Sequence, residues 1–434
     1  MPYTNHGVYR VISLNIERWN IVVNYIDLFA GAGGLSEGFS ANRFNAVAHV
    51  EMNQDACFTL KTRICYYFLK RNNKQDIYRK YLKKEISRNE LYSFVPKKLI
   101  NSVINETMSK DNMTNIFRKI DESLRERKIK KVDLIVGGPP CQAYSLVGRA
   151  VKENNMIGDP RNYLYQLYIK VLKQYQPKMF VFENVPGLLT ANNGKYFSDM
   201  KKEFIKAGYK IDYRVLNAID FGVLQNRRRV ILIGWKKNLN VKYPEFDTVK
   251  NEFKIESILS DLPFVLAGQE NNTYSSDTYS DYLKKTKIRK PTDVLTWHIA
   301  RPHIDRDKKI YKKAIEAWEN NHQRIKYTDL PEELCTHKNR TAFLDRFKVV
   351  AADLTYCHTM MAHIAKDGHY FIHPDKKQLR SITVREAARI QSFPDDFYFE
   401  GSRTAAFTQI GNAVPPLMAY GIAKRIREIL EGLS

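Results

Sequence analysis

The sequence predicts an α/β fold, a sheet of parallel strands with helices on both faces, joined to a smaller irregular domain. Three observations carry that expectation. Short apolar runs alternate with amphipathic helical stretches from Asn24 to Trp235, the pattern of repeated strand–helix crossovers. A glycine turn follows the first run, and an acid, Glu51, ends the second run 20 positions after Gly31. Past Trp235 the alternation stops, and residues from about 240 to 375 are polar and irregular.

Residues 1–23 form an N-terminal arm that lacks the apolar core and small-residue cleavage site of a signal peptide, so a cytoplasmic protein is expected. Residues 24–239 form the first domain. In it "NYIDLFAGAGGLSEGF" reads as strand, glycine turn and helix, and "AVAHVEMNQDACFTLK" as a strand ending in an acid, then a helix. The stretch from about 62 to 131 is rich in Lys, Arg and helix formers and poor in Gly and Pro, which predicts an inserted, basic helical segment. The alternation resumes with "VDLIVGG", the helix "YLYQLYIKVLKQY", the strand "KMFVFEN", the helix "KYFSDMKKEFIKAG" and the strand "RRVILIGW". Residues 240–379 make the second domain, 380–408 a bridging segment around "TVREAARIQSF", and 409–434 return to the first domain through the amphipathic "PLMAYGIAKRIREIL". No apolar run approaches the roughly 18 residues needed to span a bilayer, so no membrane partner is expected.

With 434 residues, 44% of them hydrophobic, the chain can bury a sizeable core. Seventy Lys and Arg against 47 Asp and Glu leave a net charge of +23. Such an excess fits a polyanion partner, nucleic acid first, or a Lys-rich surface with no partner, and charge alone does not separate the two. The five cysteines (Cys57, Cys65, Cys141, Cys335, Cys357) are odd in number and contain no CxxC pair, against both a disulfide framework and a thiolate zinc site. Cys357, His358, His363, His369 and His373 cluster in sequence, but their spacing fits no standard ligand pattern and no metal is expected.

The chemistry-bearing residues sit at strand ends. Gly31, Ala32, Gly33 and Gly34 make a turn suited to close backbone approach by a nucleotide-like ligand, out of the usual phosphate-cradling register. Glu51 stands where a carboxylate accepts both hydroxyls of a ribose. Together they point to an adenosine-containing cofactor without a tightly held pyrophosphate, and S-adenosyl-L-methionine fits better than NAD. In "DLIVGGPPCQAYS" two prolines stiffen the turn after a strand, holding Cys141 at the carboxyl end of the sheet. A buried structural thiol and a reactive one are both open at this point. Glu183 follows four apolar residues, where desolvation raises a carboxyl pKa unless a partner compensates. Arg227 and Arg229, two apart at the start of a strand, are expected on one side, either as a solvated basic edge or as a clamp in the same crevice.

Phe29-Ala-Gly-Ala-Gly-Gly34, Glu51, Pro139-Pro140-Cys141-Gln142, Glu183-Asn184-Val185, Gln225-Asn-Arg-Arg-Arg229, "RSITVREAARIQSFPDDF" and "QIGNAVPP" stand in this order across most of the chain. In this order they resemble the DNA (cytosine-5) methyltransferases of bacterial restriction–modification systems. The resemblance implies a Rossmann-like S-adenosylmethionine-dependent methyltransferase sheet with helices on both faces, plus a smaller irregular DNA-recognition domain at 240–379. It implies that Cys141 adds to carbon 6 of a flipped-out cytosine, that Glu183 bonds N3, and that Arg229, with Arg227 beside it, meets the cytosine carbonyl. On the cofactor it places Phe29, Gly31, Gly33, Gly34, Glu51, Met52, Pro140, Leu164 and Asn412. An acid near the adenine amine has Asn115 as its best counterpart, displaced by the basic segment. The implied partners are double-stranded DNA and a cognate restriction endonuclease sharing the target sequence, with the enzyme a monomer. A tRNA cytosine-5 methyltransferase is the alternative. Base-reading candidates cluster in "TWHIARPHIDRD".

Overall fold

A computed structural model describes residues 21–140, 163–336, 340 and 344–433. Cys141 and most of the N-terminal arm lie outside these. Seven strands form one sheet: β1 (Asn24–Leu28), β2 (Asn45–Glu51), β3 (Val103–Asn105), β4 (Leu134–Gly137), β5 (Met179–Asn184), β6 (Tyr209–Asn217) and β7 (Arg228–Lys236), in the order β3-β2-β1-β4-β5-β7-β6. The first five run parallel, while β7 runs antiparallel to both β5 and β6.

The sheet is therefore mixed, not parallel throughout. β6 escapes the sequence pattern because "YKIDYRVLN" is half exposed and carries few fully buried positions. Once β6 is present, β7 returns beside it without a helical crossover, which forces the antiparallel pairing. The 62–131 segment is also not a purely helical insertion. It supplies the edge strand β3, paired with β2, and a three-residue strand is too short to show a period of two.

Helices α1 (Gly34–Ala41) and α2 (Gln54–Arg71) follow the first two strands. The shorter α3 (Gln75–Leu82), α4 (Arg88–Ser93) and α5 (Lys97–Ile100) lead into β3, and α6 (Met113–Glu126), α7 (Leu164–Tyr175) and α8 (Lys195–Lys206) alternate with the next strands. Beyond β7 come α9 (Asp281–Thr286), α10 (Asp305–Asn321), α11 (Val384–Ile390), α12 (Arg403–Asn412) and α13 (Pro416–Gly432). Among the described residues no helix is long and apolar enough to cross a membrane.

Strand alternation divides the core. Ile135, Phe180 and Phe182 point to one face with Ile116, Tyr168 and Phe204 of α6, α7 and α8. Their neighbours Leu134, Val136 and Val181 point to the other face, with Phe39 of α1 and Ile422 of α13. Each such fully buried aliphatic or aromatic side chain contributes roughly 1.5–3 kcal/mol. A third core joins Ile255, Ile258 and Leu283 to Ile382, Val384, Phe393 and Phe407, so the segment expected to bridge supplies much of it. There Thr383 and Glu386 reciprocally cap the first turn of α11, which explains why "TVREAARI" forms a helix. A smaller core packs α10 against Tyr327, Leu330 and Phe347.

Candidate active site

The carboxyl ends of β1, β2, β4 and β5 line one edge of the sheet, where open α/β sheets keep their crevice. After β1 the backbone enters the left-handed region at Phe29 (φ 55), Gly31 (φ 54) and Gly33 (φ 86). A Cβ on Gly31 would meet nothing within 4 Å, so its backbone borders open space. Gly34 instead has Val414 O 2.3 Å from an imagined Cβ, so only glycine lets this turn touch the late "GNAVPP" turn.

Glu51 ties the two loops together. Its Oε2 accepts the Gly31 amide and its Oε1 the Asn53 amide, each at 2.8 Å. An ionised carboxylate has about four lone-pair sites, so two acceptor positions remain for a diol. Met52 beside it is 63% exposed. Asn412 is exposed at the end of α12, Pro140 is exposed after β4, and Leu164 opens α7 half-buried. An open glycine turn beside a carboxylate with spare acceptors fits the adenosine-containing cofactor expected from the sequence.

β4 and β5 are neighbours, with Gly137 opposite Phe182, so the loop bearing Cys141 starts beside Glu183. Asn184 donates to Pro139 O at 3.3 Å, and an imagined Cβ on Gly138 would lie 2.6 Å from Glu183 Oε2. The partner that an acid here requires is Arg229, whose Nε lies 2.8 Å from Glu183 Oε1. Cys141 itself falls outside the described residues.

Arg227 does not share this position. It precedes β7, so the alternation of a strand does not govern it, and it is 1% exposed. Its guanidinium donates to Met360 O at 2.6 Å and Gly411 O at 3.0 Å. Asn115 is likewise displaced from its expected place: its side chain engages Glu106 and Arg118 on α6. The residues at the carboxyl end of β3 are Asn105 and Glu106, and Asn105 donates to Glu51 O and Met52 O. Glu106, the acid after "VIN", accepts from Asn112 and Asn115.

Four of the base-reading candidates in "TWHIARPHIDRD", Trp297, His298, Arg301 and His303, are engaged by other parts of the chain, whereas the Arg306 side chain is 37% exposed. His298 is fully buried between Thr383 Oγ1 and Pro263 O, and Arg301 donates to three carbonyls at 364–366. His303 meets Ser381 Oγ at 3.0 Å, and Trp297 donates to Phe399 O. The sequence-clustered histidines also separate: His358 bonds Tyr370 O and His369 the Tyr311 hydroxyl, while His373 lies 3.5 Å from Glu386. Burial holds His358 down at about 4.

A sequence profile described as C-5 cytosine-specific DNA methylase matches residues 23–89 and 84–428. The chain is 44% identical to the type II methyltransferase M.Bpa9945I of Bacillus paralicheniformis, over 94% of this chain and 99% of that one. It is 31% identical to M1.HphI of Haemophilus parahaemolyticus, over 93% and 86%, and 30% identical to M.DdeI of Desulfomicrobium norvegicum, over 95% and 90%. Among solved structures, a protein described as a DNA modification methyltransferase encoded within an E. coli prophage superposes with a TM-score of 0.62 at 22% identity, over 94% of this chain and 99% of that chain. The methyltransferase EhMeth of Entamoeba histolytica gives 0.53 at 16% identity, over 95% and 99%. At those identities the likeness concerns the fold alone.

Proposed function

This chain belongs to the C-5 cytosine-specific DNA methylase family and is a DNA (cytosine-5) methyltransferase, and on that premise we propose how its residues divide the work. The observation that carries the reading is the Glu183–Arg229 pair beside the loop that leads to Cys141. S-adenosylmethionine supplies an electrophilic methyl group. Phe29, Gly31, Gly33 and Gly34 border it, Glu51 takes the ribose hydroxyls, and Met52, Pro140, Leu164 and Asn412 complete its surroundings.

The target cytosine leaves the duplex at a cost of a few kcal/mol. The Cys141 thiolate adds to carbon 6, and the displaced ring electrons move toward N3 and the carbonyl. Glu183 gives N3 a proton as charge develops there and takes it back when the ring double bond re-forms, while Arg229 meets the carbonyl oxygen. Carbon 5 is thereby made nucleophilic and takes the methyl group. Loss of the carbon-5 proton to a base returns the electron pair, breaks the bond to sulfur and frees Cys141. A cytoplasmic monomer working with an endonuclease of the same target sequence completes this reading. A tRNA substrate is not favoured, because the relatives at 30–44% identity are type II methyltransferases.

The test is a duplex carrying 5-fluorocytosine, incubated with the enzyme and S-adenosylmethionine. Fluorine cannot leave as the proton does, so the adduct should persist on a denaturing gel and map to Cys141. Cys141→Ser should abolish it, because an unactivated hydroxyl is a far weaker nucleophile. An enzyme that methylates cytosine without an adduct, or attaches through Cys57, Cys65, Cys335 or Cys357, overturns the mechanism.

A further inference from the structure

Three buried polar side chains connect the two halves of the site. Gln225, 0% exposed, stands just before β7; its Oε1 accepts the Met360 amide at 2.8 Å and its Nε2 donates to Gln391 Oε1 at 2.5 Å. Gln391, also 0% exposed, donates its own Nε2 to Ile410 O at 3.1 Å and Ala413 O at 2.7 Å. Arg227 runs alongside, from the same segment to Gly411 O and Met360 O. The turn they grip, 410–413, carries Asn412, and Val414 immediately after it packs against Gly34 of the first glycine turn. At the other end, Arg229 follows Arg227 by two residues and holds Glu183.

The surroundings make this a costly choice. Leu224, Met360, Ile390 and Ile410 belong to one apolar cluster, where aliphatic side chains would fill the space without polar groups to satisfy. Hydrogen bonds in such a setting are strong and leave no cheap alternative geometry, so the segments they join move together or not at all. A second layer reinforces the connection: Asn226 N donates to Cys357 O and Cys357 N to Leu224 O, fastening 356–362 along the same segment. An imagined Cβ on Gly411 would lie 2.3 Å from Ala362 N, so this strap also touches the 410–413 turn.

We propose that Gln225, Arg227 and Gln391 are positioning residues that couple the cofactor turn at 410–413 to the base-holding pair Glu183–Arg229. The inference rests on the site reading given under Proposed function. Its consequence is reciprocal: a molecule in the cofactor site tightens binding of the target duplex, and the duplex tightens binding of that molecule by the same factor.

The test uses the full chain, S-adenosylhomocysteine, and a duplex whose site is assigned by bisulfite sequencing of DNA from cells expressing the protein. In the wild type S-adenosylhomocysteine should tighten duplex binding at least about 5-fold, the lower end of ordinary coupling. Gln391→Met and Arg227→Lys should each bring that factor to within about 2-fold of unity. A purely structural role predicts a lower melting temperature with the factor unchanged, and that result overturns the proposal. Hydrogen exchange on the wild type gives a check that needs no variant: S-adenosylhomocysteine alone should slow exchange at the Met360 amide, and no change there overturns it. The two readings fail differently. A wild type that neither binds S-adenosylhomocysteine nor methylates cytosine defeats the site assignment, whereas one that methylates normally but shows no coupling defeats the relay alone.

Discussion

Arg229 meets Glu183 at 2.8 Å with 13% and 16% of the two side chains exposed, whereas Arg389 meets Asp261 and Asp395 at 2.6 Å with at most 1% exposed. Both are arginine–carboxylate pairs, and in sequence both are arginines near helix-forming or strand-forming runs. Their donors separate them. Arg389 makes five hydrogen bonds, to Asp395, Asp261 and Ile258 O, which uses every N–H a guanidinium has. Burial alone would push Arg389 down, but Asp395 and Asp261 overcome it and hold its pKa well above the ordinary value. Among the described residues Arg229 donates to Arg228 O and sets its Nε 2.8 Å from Glu183 Oε1, so fewer of its N–H groups are engaged there than those of Arg389. Saturated pairs hold a fold, and unsaturated ones at a sheet edge can hold a substrate.

The sharpest way to break that contrast is Arg389→Met. Removing it takes four bonds from two buried carboxylates and leaves Asp261 with Arg289, and Asp395 with Tyr274 and Arg385, so the expected loss is about 3–5 kcal/mol of stability. Urea denaturation measures it; a loss no greater than that of Arg229→Met would erase the distinction. Glu183→Gln should do the converse. On the proposed mechanism it should slow turnover roughly 10²–10⁴-fold, while the urea midpoint moves less than for Arg389→Met because the amide oxygen remains an acceptor for Arg229. Single-turnover methylation and denaturation of the same preparation decide it.

A smaller effect is expected at Glu51, which belongs to both categories. Glu51→Ala removes charged acceptors worth about 1.5–3 kcal/mol, so the KM for S-adenosylmethionine should rise roughly 10-fold to 100-fold. Duplex affinity measured without cofactor should hardly change. If the duplex affinity collapses with it, the bonds to Gly31 and Asn53 are its main role.

A pH-dependent effect is expected at Asp27 in β1, 1% exposed, whose Oδ2 accepts from Ser36 at 2.5 Å. Burial, opposed by Ser36 and aided by Glu51, pushes its pKa up to about 7 from an ordinary 3.8. Between those values the folded chain binds the proton that the unfolded chain has lost, so this group's contribution to stability falls as pH rises from about 4 to 7. Asp27→Asn should therefore match the wild type near pH 4 and gain on it toward pH 8, read as the difference in melting temperature. A constant difference across that range would show that Asp27 does not titrate there.

What local chemistry dictates was legible in the sequence. The glycine turn at 31–34, Glu51, the paired prolines and Glu183 all sit where a strand ends, and Gly, Pro and a lone acid after apolar residues mark such ends by themselves. The parallel half of the sheet followed from the same runs. Partnership over long separations was not legible. Arg227 and Arg229 look alike in "QNRRR", yet Arg227 is claimed by carbonyls 133 and 184 positions away. His298, Arg301 and His303 resemble a polar reading surface until Pro263, Lys366 and Ser381 fold onto them. A three-residue β3 and a half-exposed β6 take their meaning only from the strands beside them. The sequence by itself determined which residues carry reactive or conformationally special groups, because those properties belong to the residue and its neighbours in the chain. Only the tertiary structure decided which donors are saturated and which stay open, because that depends on atoms brought together from distant parts of the chain.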